Sequence, residues 1–338
     1  MIKRVAINGF GRIGRMVLRS IIERNEKDIE VVAINDLADI DTNIHLLKYD
    51  SVHGVCDISA KIEDNYVTIS SKNFSLNPIK MVSEPNPKLL PWKDLDIDIV
   101  FECTGRFQDK ESALSHVTAG AKKVIVSAPC KGADKTVIMG INHGDIKDSD
   151  IVISNGSCTT NCFAPVVSVL DDNFGIKQGY MTTIHAYTGD QKLVDTCHSD
   201  MRRARAASLS MIPASTGAAR AVFEIFPKLK GKIDGTAIRV PTANVSVIDF
   251  TFTTEKEISE ELINNAMKKE SMGKLSGILA VNEEPLVSID FNHRSESSIF
   301  DATQTAVLNK SMGRVVSWYD NEWGFSNRMV DLAKVAGV

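Results

Sequence analysis

The chain has 338 residues, of which 43% are hydrophobic and 24% charged, and its formal net charge is -4 at pH 7. This length allows two domains of ordinary size, and the small negative charge gives no general basis for binding nucleic acid or an acidic membrane. No apolar run approaches the ~20 residues that a membrane-spanning helix needs. The first residues enter a strand pattern directly, so we expect no signal peptide. The six cysteines show neither a disulfide framework nor paired metal-ligand spacing, which favours a reduced, cytoplasmic protein with no metal site.

The first predicted strand runs directly into a glycine-rich loop. Residues 4–8 form the strand, the run Gly9-Phe10-Gly11-Arg12-Ile13-Gly14 follows, and a helical pattern begins at once. A second apolar strand, residues 29–34, ends at Asn35-Asp36. Three glycines alone also occur in ordinary loops. The strand–loop–helix context, with an acid about 20 residues after the last glycine, favours a dinucleotide-binding site.

Each residue type in this motif suits a dinucleotide. Gly9 permits a tight turn, Gly11 lets backbone amides approach a pyrophosphate, and Gly14 lets the helix pack closely on the strand. Asp36 can accept hydrogen bonds from a ribose diol and would repel a 2′-phosphate, which favours NAD over NADP. The alternative is that Asp36 is only a turn residue at the end of a strand. The predicted cofactor-binding residues of this segment are Gly9, Gly11, Arg12, Ile13, Gly14 and Asp36.

Strands and helices continue to alternate through the first half of the chain. Residues 97–102 and 123–127 read as strands, and residues 109–121 between them have helical character. Such alternation predicts a parallel, doubly wound sheet whose ligands lie at the carboxyl ends of the strands. Thr104 and Ser127 follow two of these ends and are predicted neighbours of the cofactor.

A small, polar run at residues 154–162 brings Cys158 to the start of a predicted helix. Ser157 is well placed as the N-cap, and the apolar residues 163–170 supply the buried face. The helix dipole and unpaired amides at this position favour a thiolate. A single cysteine is more commonly a small buried hydrophobe, but that interpretation fits Cys162, one turn further along, better than Cys158.

The run Ser154-Asn155-Gly156-Ser157-Cys158-Thr159-Thr160-Asn161-Cys162 closely resembles the active-site signature of the phosphorylating glyceraldehyde-3-phosphate dehydrogenases. The resemblance extends from the first strand to the last helix, although Gly156 stands where the family usually has alanine. It implies an N-terminal Rossmann domain with a doubly wound parallel sheet and a catalytic domain on a mainly antiparallel sheet. We expect an NAD-binding domain at 1–157, a catalytic domain at 158–320, and a segment and helix at 321–338 that return to the NAD-binding domain.

A second signature of the family surrounds His185, in the run 179–191. A lone histidine on a strand is more often structural, but the resemblance implies that His185 pairs with Cys158 and takes up a proton. The reaction also needs two anion sites, because the substrate carries one phosphate and inorganic phosphate attacks the bound acyl group. The resemblance assigns the substrate phosphate to Thr188 and Arg239. It assigns the attacking phosphate to Ser157, Thr159, Thr216 and Gly217.

Three arginines, at 202, 203 and 205, form a basic cluster in the sequence between the His185 signature and Thr216. A nucleic-acid patch is disfavoured because no aromatic residues are interleaved. The resemblance instead places this segment at the interface of a homotetramer, near a neighbour's cofactor. Thr196 and Cys197 fall where the family tunes cofactor choice.

The last third of the chain predicts an antiparallel sheet and a closing signature. Residues 245–254 alternate, with Ile248, Phe250 and Phe252 on one face. Residues 317–328 resemble the family's closing signature, which implies that Asn321 contacts the nicotinamide amide. Phe325 stands where many members have tyrosine, and a final helix is expected from there to the end.

The predicted function is NAD-dependent oxidative phosphorylation of glyceraldehyde 3-phosphate to 1,3-bisphosphoglycerate, through a Cys158 hemithioacetal and thioester. Erythrose-4-phosphate dehydrogenase is the nearest alternative, since it shares the thiol and the character of residues 37–39 and 45–50, but Thr188 and residues 215–217 follow the phosphorylating pattern. A cysteine protease or amidase would have no use for the dinucleotide site. A non-enzymatic, nucleotide-regulated binding protein is a more distant alternative. The expected partners are glyceraldehyde 3-phosphate, inorganic phosphate and further copies of the chain in a homotetramer, without nucleic acid or membrane.

Overall fold

The computed structural model describes residues 2–72 and 74–337, with the side chains of residues 219 and 220 left out. The chain divides into two units. One contains the residues up to Gly156 together with those from Ser326 onward, and the other is Ser157–Phe325. The sequence placed these divisions after residues 157 and 320.

The first unit alternates strands with helices. Its helices are α1 (Arg12–Glu23), α2 (Ile40–Lys48) and α3 (Lys110–Thr118). Its strands are β1 (Lys3–Asn8), β2 (Ile29–Asn35), β3 (Tyr49–Asp50), β4 (Gly54–Val55), β5 (Ser59–Glu63), β6 (Tyr66–Ser71), β7 (Phe74–Ser75), β8 (Ile79–Val82), β9 (Ile99–Glu102), β10 (Lys123–Val126), β11 (Lys135–Thr136) and β12 (Val152–Ser154).

The main sheet of this unit has the order β11-β12-β10-β9-β1-β2-β8-β6-β5, with β7 paired to β6. The strands from β11 to β8 are parallel, and β6 and β5 are antiparallel. The chain moves outward from β1 in both directions, so the sheet is doubly wound around that strand. The register aligns Asn8, Asn35 and Glu102 at the carboxyl ends of β1, β2 and β9. This edge is where the fold places a ligand.

The second unit carries the remaining elements. Its helices are α4 (Cys158–Phe174), α5 (Ala218–Ile225) and α6 (Glu260–Met272), and α7 (Trp323–Val335) begins in it. Its strands are β13 (Ile176–Ala186), β14 (Ile212–Ala214), β15 (Ile233–Val240), β16 (Ser246–Thr254), β17 (Leu279–Asn282), β18 (Ser298–Asp301), β19 (Ala306–Leu308) and β20 (Met312–Tyr319).

The sheet of the second unit has the order β14-β15-β13-β16-β20-β18-β17, with β19 paired to β20. Most pairs are antiparallel, while β13–β15 and β17–β18 are parallel. Ile248, Phe250 and Phe252 of β16 are buried on one face, as their alternation predicts. The predicted fold class, a doubly wound parallel sheet followed by a mainly antiparallel one, is confirmed.

Helix α4 begins where the sequence predicts. The Ser157 side chain accepts a hydrogen bond from the backbone amide of Thr160 at 3.0 Å and so acts as the N-cap. The helix packs against β16, β18 and β20, and its apolar residues are buried. Cys158 is therefore held at the first helical position, on a buried and rigid element.

The C-terminal helix α7 ends within the first unit and is held there by charge pairs. Arg24 lies 2.6 Å from Asp331, and Lys334 lies 3.0 Å from Glu26. The apolar face of this part of the helix is buried. These ion pairs and this burial describe how the end of α7 is held within the first unit.

Some predicted bounds differ from the structure at helix ends. The helix predicted for residues 109–121 is α3, which is shorter because Asp109 is its N-cap and accepts from Ser112 at 2.9 Å. Gly120 has a φ of 110° just beyond its end, outside the helical range. The last helix begins at Trp323 instead of Phe325. Within residues 2–72 and 74–337, no helix combines the length and apolar character needed to cross a membrane.

Candidate active site and cofactor pocket

The glycine loop between β1 and α1 has the tight geometry of a dinucleotide site. Gly9 has a φ of 90°, and a Cβ on Gly14 would collide with the carbonyl oxygen of Gly9. A Cβ on Gly11, by contrast, would meet no atom within 4 Å. No described side chain caps the start of α1. A helix start with this open approach suits a pyrophosphate.

A cavity of about 300 Å³ lies at the carboxyl ends of β1 and β2. Its lining includes Gly9, Gly11, Asp36 and Thr104 of the predicted cofactor residues. The Asp36 carboxylate accepts a hydrogen bond from the backbone amide of Phe10 at 2.7 Å, which holds it beside the glycine loop. A carboxylate has further lone pairs for a ribose diol. The open cradle at Gly11 and the acceptor at Asp36 fit NAD.

Other predicted cofactor residues stand outside the described lining of this cavity, namely Arg12, Ile13, Gly14 and Ser127. The guanidinium of Arg12 forms an ion pair with Asp50. Burial alone would raise the pKa of Asp50, but hydrogen bonds from Arg12 and from backbone amides lower it to about 2. Arg12 therefore joins the helix start to the segment after α2. The roles of these four residues toward the cofactor stay predictions.

Cys158 faces His185 within the second unit. The Sγ atom of Cys158 lies 3.4 Å from Nε2 of His185. Burial raises the pKa of the Cys158 thiol, while the positive charge of Arg239 and hydrogen bonds at the helix start lower it by less. Burial therefore opposes the thiolate that the helix dipole favours, and the thiolate expected from the sequence stays a prediction.

The Nδ1 atom of His185 lies between a hydrogen-bond acceptor and a donor. It is 2.7 Å from the carbonyl oxygen of Ala186, which can only accept a hydrogen bond, and 2.9 Å from Nη1 of Arg239, which can only donate one. The neutral ring can act as a base toward Cys158 in the tautomer that carries its proton on Nδ1, because the lone pair of Nε2 is then directed at Sγ. Burial and the nearby charge of Arg239 lower the pKa of His185 to about 3. His185 is thus a neutral base at physiological pH.

Strand pairing brings Arg239 to the same place. In the parallel register of β13 and β15, His185 stands opposite Arg239. The Nη1 atom of Arg239 lies 3.0 Å from the oxygen of Ala186 and 3.5 Å from Oγ1 of Thr188. Nε of Arg239 is buried without a hydrogen-bond partner among the described residues. A partly buried guanidinium with an unused donor beside a hydroxyl is suited to a phosphate.

The hydroxyls assigned to the attacking phosphate already have local hydrogen bonds. The Ser157 oxygen caps α4, and the Thr159 hydroxyl lies 2.9 Å from the Tyr319 hydroxyl. The Thr216 oxygen accepts from the backbone amide of Ala218 at 3.2 Å, next to Gly217 at the start of α5. Hydroxyl oxygens can accept or donate further hydrogen bonds, so these contacts leave the phosphate assignment a prediction.

Asn321 and Cys162 both lie in buried positions. The side-chain oxygen of Asn321 accepts a hydrogen bond from Ser246 at 2.8 Å, which orients its amide. Cys162 lies beside the Ser298 hydroxyl at 3.5 Å, and burial raises its pKa to about 12. This is the inert, packed thiol that the sequence indicates for Cys162.

Two further residues at this site were missed from the sequence. The charge of Arg203 acts on both His185 and Arg239, although the sequence suggested only an interface role for it. The Tyr319 hydroxyl lies 2.8 Å from that of Thr183, and its ring meets His185 edge-on with centroids 5.9 Å apart. The available signal for Tyr319 was its place in the closing signature.

Comparisons with known proteins cover nearly the whole chain. Residues 3–110 match the family model described as "Glyceraldehyde 3-phosphate dehydrogenase, NAD binding domain", and residues 157–321 match "Glyceraldehyde 3-phosphate dehydrogenase, C-terminal domain". Glyceraldehyde-3-phosphate dehydrogenase of Xanthobacter flavus is 54% identical over 99% of this chain and 98% of its own. The same-named protein of Cereibacter sphaeroides is 53% identical over the same shares. Glyceraldehyde-3-phosphate dehydrogenase 1 of Bacillus cereus is 50% identical over 98% of this chain and 97% of its own. These names give no support to the erythrose-4-phosphate alternative.

Proposed function

The chain belongs to the glyceraldehyde 3-phosphate dehydrogenase family, and we propose that it is the phosphorylating, NAD-dependent enzyme that forms 1,3-bisphosphoglycerate from glyceraldehyde 3-phosphate and inorganic phosphate. The observation that carries this proposal is the alignment of a thiol, a neutral imidazole and a partly buried guanidinium. Cys158 Sγ lies 3.4 Å from His185 Nε2, and Arg239 Nη1 lies 2.9 Å from His185 Nδ1. A nucleophile, a base and an anion site thus meet in one unit.

The first step is the attack of Cys158 on the substrate aldehyde. The thiol proton passes to Nε2 of His185 as the S–C bond forms, and the carbonyl oxygen becomes the hydroxyl of a hemithioacetal by taking that proton. In the tautomer that carries its proton on Nδ1, the neutral His185 presents an unprotonated Nε2 for this transfer. A thiol with a raised pKa depends on such a base, because little thiolate is present without it.

Oxidation of the hemithioacetal requires the base a second time. His185 removes the hydroxyl proton as the carbon loses a hydride, and the product is a thioester on Cys158. NAD supplies the hydride acceptor when it is bound. The residues that would hold it are the glycine loop, whose helix start would bind the pyrophosphate, and Asp36, which would accept hydrogen bonds from the ribose diol. We propose that Asn321 orients the nicotinamide amide.

The substrate phosphate has an electrostatic part in this chemistry. A positive His185 is unfavourable here because burial, and after it the charge of Arg239, lowers the pKa of His185. A phosphate held by Arg239 and Thr188 would offset that charge and raise the proton affinity of His185 when the base must accept a proton. Binding of the correct substrate would therefore strengthen the base.

Inorganic phosphate completes the reaction at the thioester carbonyl. Its oxygen attacks the carbon, the C–S bond breaks, and Cys158 leaves as a thiolate that is reprotonated from His185. We propose that Ser157, Thr159, Thr216 and Gly217 bind this phosphate. The helix starts of α4 and α5, which carry these residues, support the assignment because their amides attract anions.

We also propose a homotetramer located in the cytoplasm. Support for assembly comes from the segment that the family resemblance places at an interface. Its exposed apolar side chains include Leu193, Val194, Met201, Leu209 and Met211, each at least 71% exposed. Support for the compartment comes from the six cysteines, all of which are free. Light scattering after gel filtration tests the assembly, and a monomer at working concentration would contradict it.

The test of the function is NADH formation with glyceraldehyde 3-phosphate, with and without phosphate. With phosphate we expect continuous turnover. Without it we expect a burst of about one NADH per chain followed by a slow rate, because the thioester accumulates. Erythrose 4-phosphate should give a much lower kcat/KM. Continuous NADH formation without phosphate, or a preference for erythrose 4-phosphate, would overturn the proposal.

A further inference from the structure

A line of buried polar side chains lies under the cofactor cavity of the first unit. Asn8, Asn35 and Glu102 end three neighbouring strands, and the line continues to His116 on α3 and to Trp92. Each of these five side chains is at most 6% exposed. Trp92 and His116 stand outside the described lining of the cavity, whereas Asn8 and Asn35 contribute to it.

The hydrogen bonds along this line have only one consistent direction. Nε1 of Trp92 can only donate, and it lies 3.0 Å from Nδ1 of His116, so Nδ1 is the acceptor. The proton of the neutral ring is then on Nε2, which donates to Glu102 at 3.0 Å. Nδ2 of Asn8 donates to the same Glu102 oxygen at 2.6 Å. The indole N–H of Trp92 therefore fixes the tautomer of His116. In that tautomer the Nε2–H of His116 donates to Glu102 and so orients its carboxylate.

This line of side chains extends to Thr104 on one side of the cavity and to Glu84 on the other. The other oxygen of Glu102 accepts from the backbone amide of Thr104 at 2.8 Å and also from its hydroxyl. On the opposite side, Asn35 accepts from the amide of Glu84 at 2.9 Å and donates to its carbonyl at 3.0 Å. Asn35 Nδ2 also donates to the side-chain oxygen of Asn8 at 2.8 Å, so the two sides are connected. Thr104 and Glu84 both line the cavity.

The backbone of Thr104 lies so close to Gly9 that neither can move without affecting the other. A Cβ at Gly9 would come within 2.8 Å of the Thr104 backbone, so the glycine loop and Thr104 are already in close approach. A small shift of Thr104 would change the shape of the cavity at the point where the loop turns. The Glu102 carboxylate is the group that holds it.

We propose that His116, with Trp92, is a positioning residue for the dinucleotide site, acting through Glu102 on Thr104 and through Asn8 and Asn35 on Glu84. His116 does not touch the cofactor; it sets the separation of the two walls that do. The proposal rests on the assignment of this cavity to NAD in the proposed function. A purely structural role would affect folding stability, whereas a positioning role also changes the affinity of the folded protein for NAD.

Two substitutions at His116 separate these roles. His116→Gln can place an oxygen toward Trp92 and an NH2 toward Glu102, and so reproduce the acceptor and the donor of the ring. His116→Leu has neither group. We expect His116→Leu to raise the Kd for NAD about tenfold, because a buried carboxylate oxygen and the indole N–H each lose a partner, while His116→Gln stays within about threefold of the wild type. In both variants kcat at saturating NAD should stay within about twofold, so the effect lies in KM for NAD.

A substitution at the far end of the line provides the second measurement. Trp92→Phe removes the indole N–H without touching the cavity, and we expect it to raise the Kd for NAD about fivefold. The matched control is Trp318→Phe in the second unit, where the indole N–H donates to Asp301 at 2.9 Å. That control should lose stability but retain the wild-type Kd for NAD.

The Kd is measured by titration of NAD into the folded variant, with ADP-ribose as a second probe, and the melting temperature is recorded in parallel. Equal Kd values for His116→Leu, His116→Gln and the wild type would overturn the proposal, and so would a wild-type Kd in Trp92→Phe. If His116→Leu does not fold, Trp92→Phe and His116→Gln decide. These titrations are independent of glyceraldehyde 3-phosphate. A wild-type protein that binds NAD but does not oxidise that substrate would contradict the proposed function alone.

Discussion

The polar clusters of the two units differ in how completely their hydrogen bonds and charges are balanced. In the first unit, the line from Trp92 to Asn35 pairs each donor with an acceptor, and a single carboxylate, Glu102, receives hydrogen bonds from three side chains and one amide. In the second unit, Cys158, His185 and Arg239 meet with a raised thiol pKa, a lowered imidazole pKa and an unpartnered guanidinium nitrogen among the described residues.

The comparison shows that polar groups away from solvent can serve either to fix a shape or to adjust the pKa of reactive groups. A fully satisfied network holds a shape, because every rotation would break a hydrogen bond. In the cluster of Cys158, His185 and Arg239 the charges are not balanced. Binding an anion or transferring a proton there changes the pKa of every member, and this makes the cluster suited to chemistry. Under the proposed function, the cavity of the first unit would need little rearrangement for its cofactor, whereas we expect the cluster of the second unit to respond to the charge of its substrate.

The largest expected effect is at the nucleophile. Cys158→Ser should reduce NADH formation by at least about a thousandfold, since a serine hydroxyl is a far weaker nucleophile at neutral pH. NAD affinity should be unchanged, because the cofactor cavity is built in the other unit. Cys162→Ser is the matched control and should keep most of the activity. Retention of more than a few per cent of turnover in Cys158→Ser would contradict the assignment.

His185→Asn should reduce kcat about a hundredfold or more, because the thiol and the hemithioacetal both lose their base. Alkylation of Cys158 by iodoacetamide at pH 7 should slow as well, since the raised pKa of the thiol leaves little thiolate without the imidazole. Unchanged alkylation kinetics would mean that the helix start alone activates the thiol. Time courses under excess reagent provide the measurement.

Arg239→Gln should raise KM for glyceraldehyde 3-phosphate about thirtyfold, through the loss of a charged hydrogen bond. It should also alter the pH dependence. Burial, and after it the charge of Arg239, lowers the pKa of His185 to about 3, so the base stays unprotonated down to that region. Without the guanidinium the pKa of His185 rises, and kcat/KM should fall at a higher pH than in the wild type.

Arg239→Lys is the charge-preserving control for the pH effect. It should keep the position of the acidic limb close to that of the wild type, although KM still rises because a lysine cannot form the planar double contact of a guanidinium. The ratio of variant to wild-type kcat/KM at each pH cancels the ionisation of the substrate. An identical acidic limb in Arg239→Gln and the wild type would show that Arg239 does not control His185.

The smallest expected effect concerns cofactor choice. Asp36→Gly combined with Leu37→Ser should lower kcat/KM for NAD and raise it for NADP, narrowing the preference by at least about tenfold. The carboxylate that repels a 2′-phosphate is removed, while the network beneath the cavity is untouched. Leu37→Ser alone is the control and should change the preference little. If the double variant keeps wild-type NAD kinetics and ignores NADP, Asp36 is only a turn residue.

The fold could be predicted from the sequence because the patterns that indicate it are local. The alternation of strands and helices, the glycine loop and the N-cap at Ser157 each depend on a few neighbouring residues. Helix bounds were less accurate where a cap decides them, as at Asp109. The sequence also brought Cys158, His185, Thr188 and Arg239 to one site through the family signatures.

The protonation state of that site was not accessible, because it depends on burial and on charges that are distant in sequence. Helix position alone suggested a thiolate at Cys158, whereas the structure adds the desolvation that opposes it. The line through His116 was missed for a similar reason. Trp92 and His116 are 24 residues apart and carry no motif, and only the packing of α3 brings them together.

The path of α7 has a consequence for how the chain is made. The nucleotide-binding unit is discontinuous in sequence, since Arg24 and Glu26 have their ion-pair partners more than 300 residues later, at Asp331 and Lys334. On the ribosome this unit is synthesised first but remains without its last helix until the final residues emerge. The apolar surface that α7 covers therefore stays uncovered while the second unit is translated, and transiently exposed apolar surface makes a nascent chain prone to aggregation.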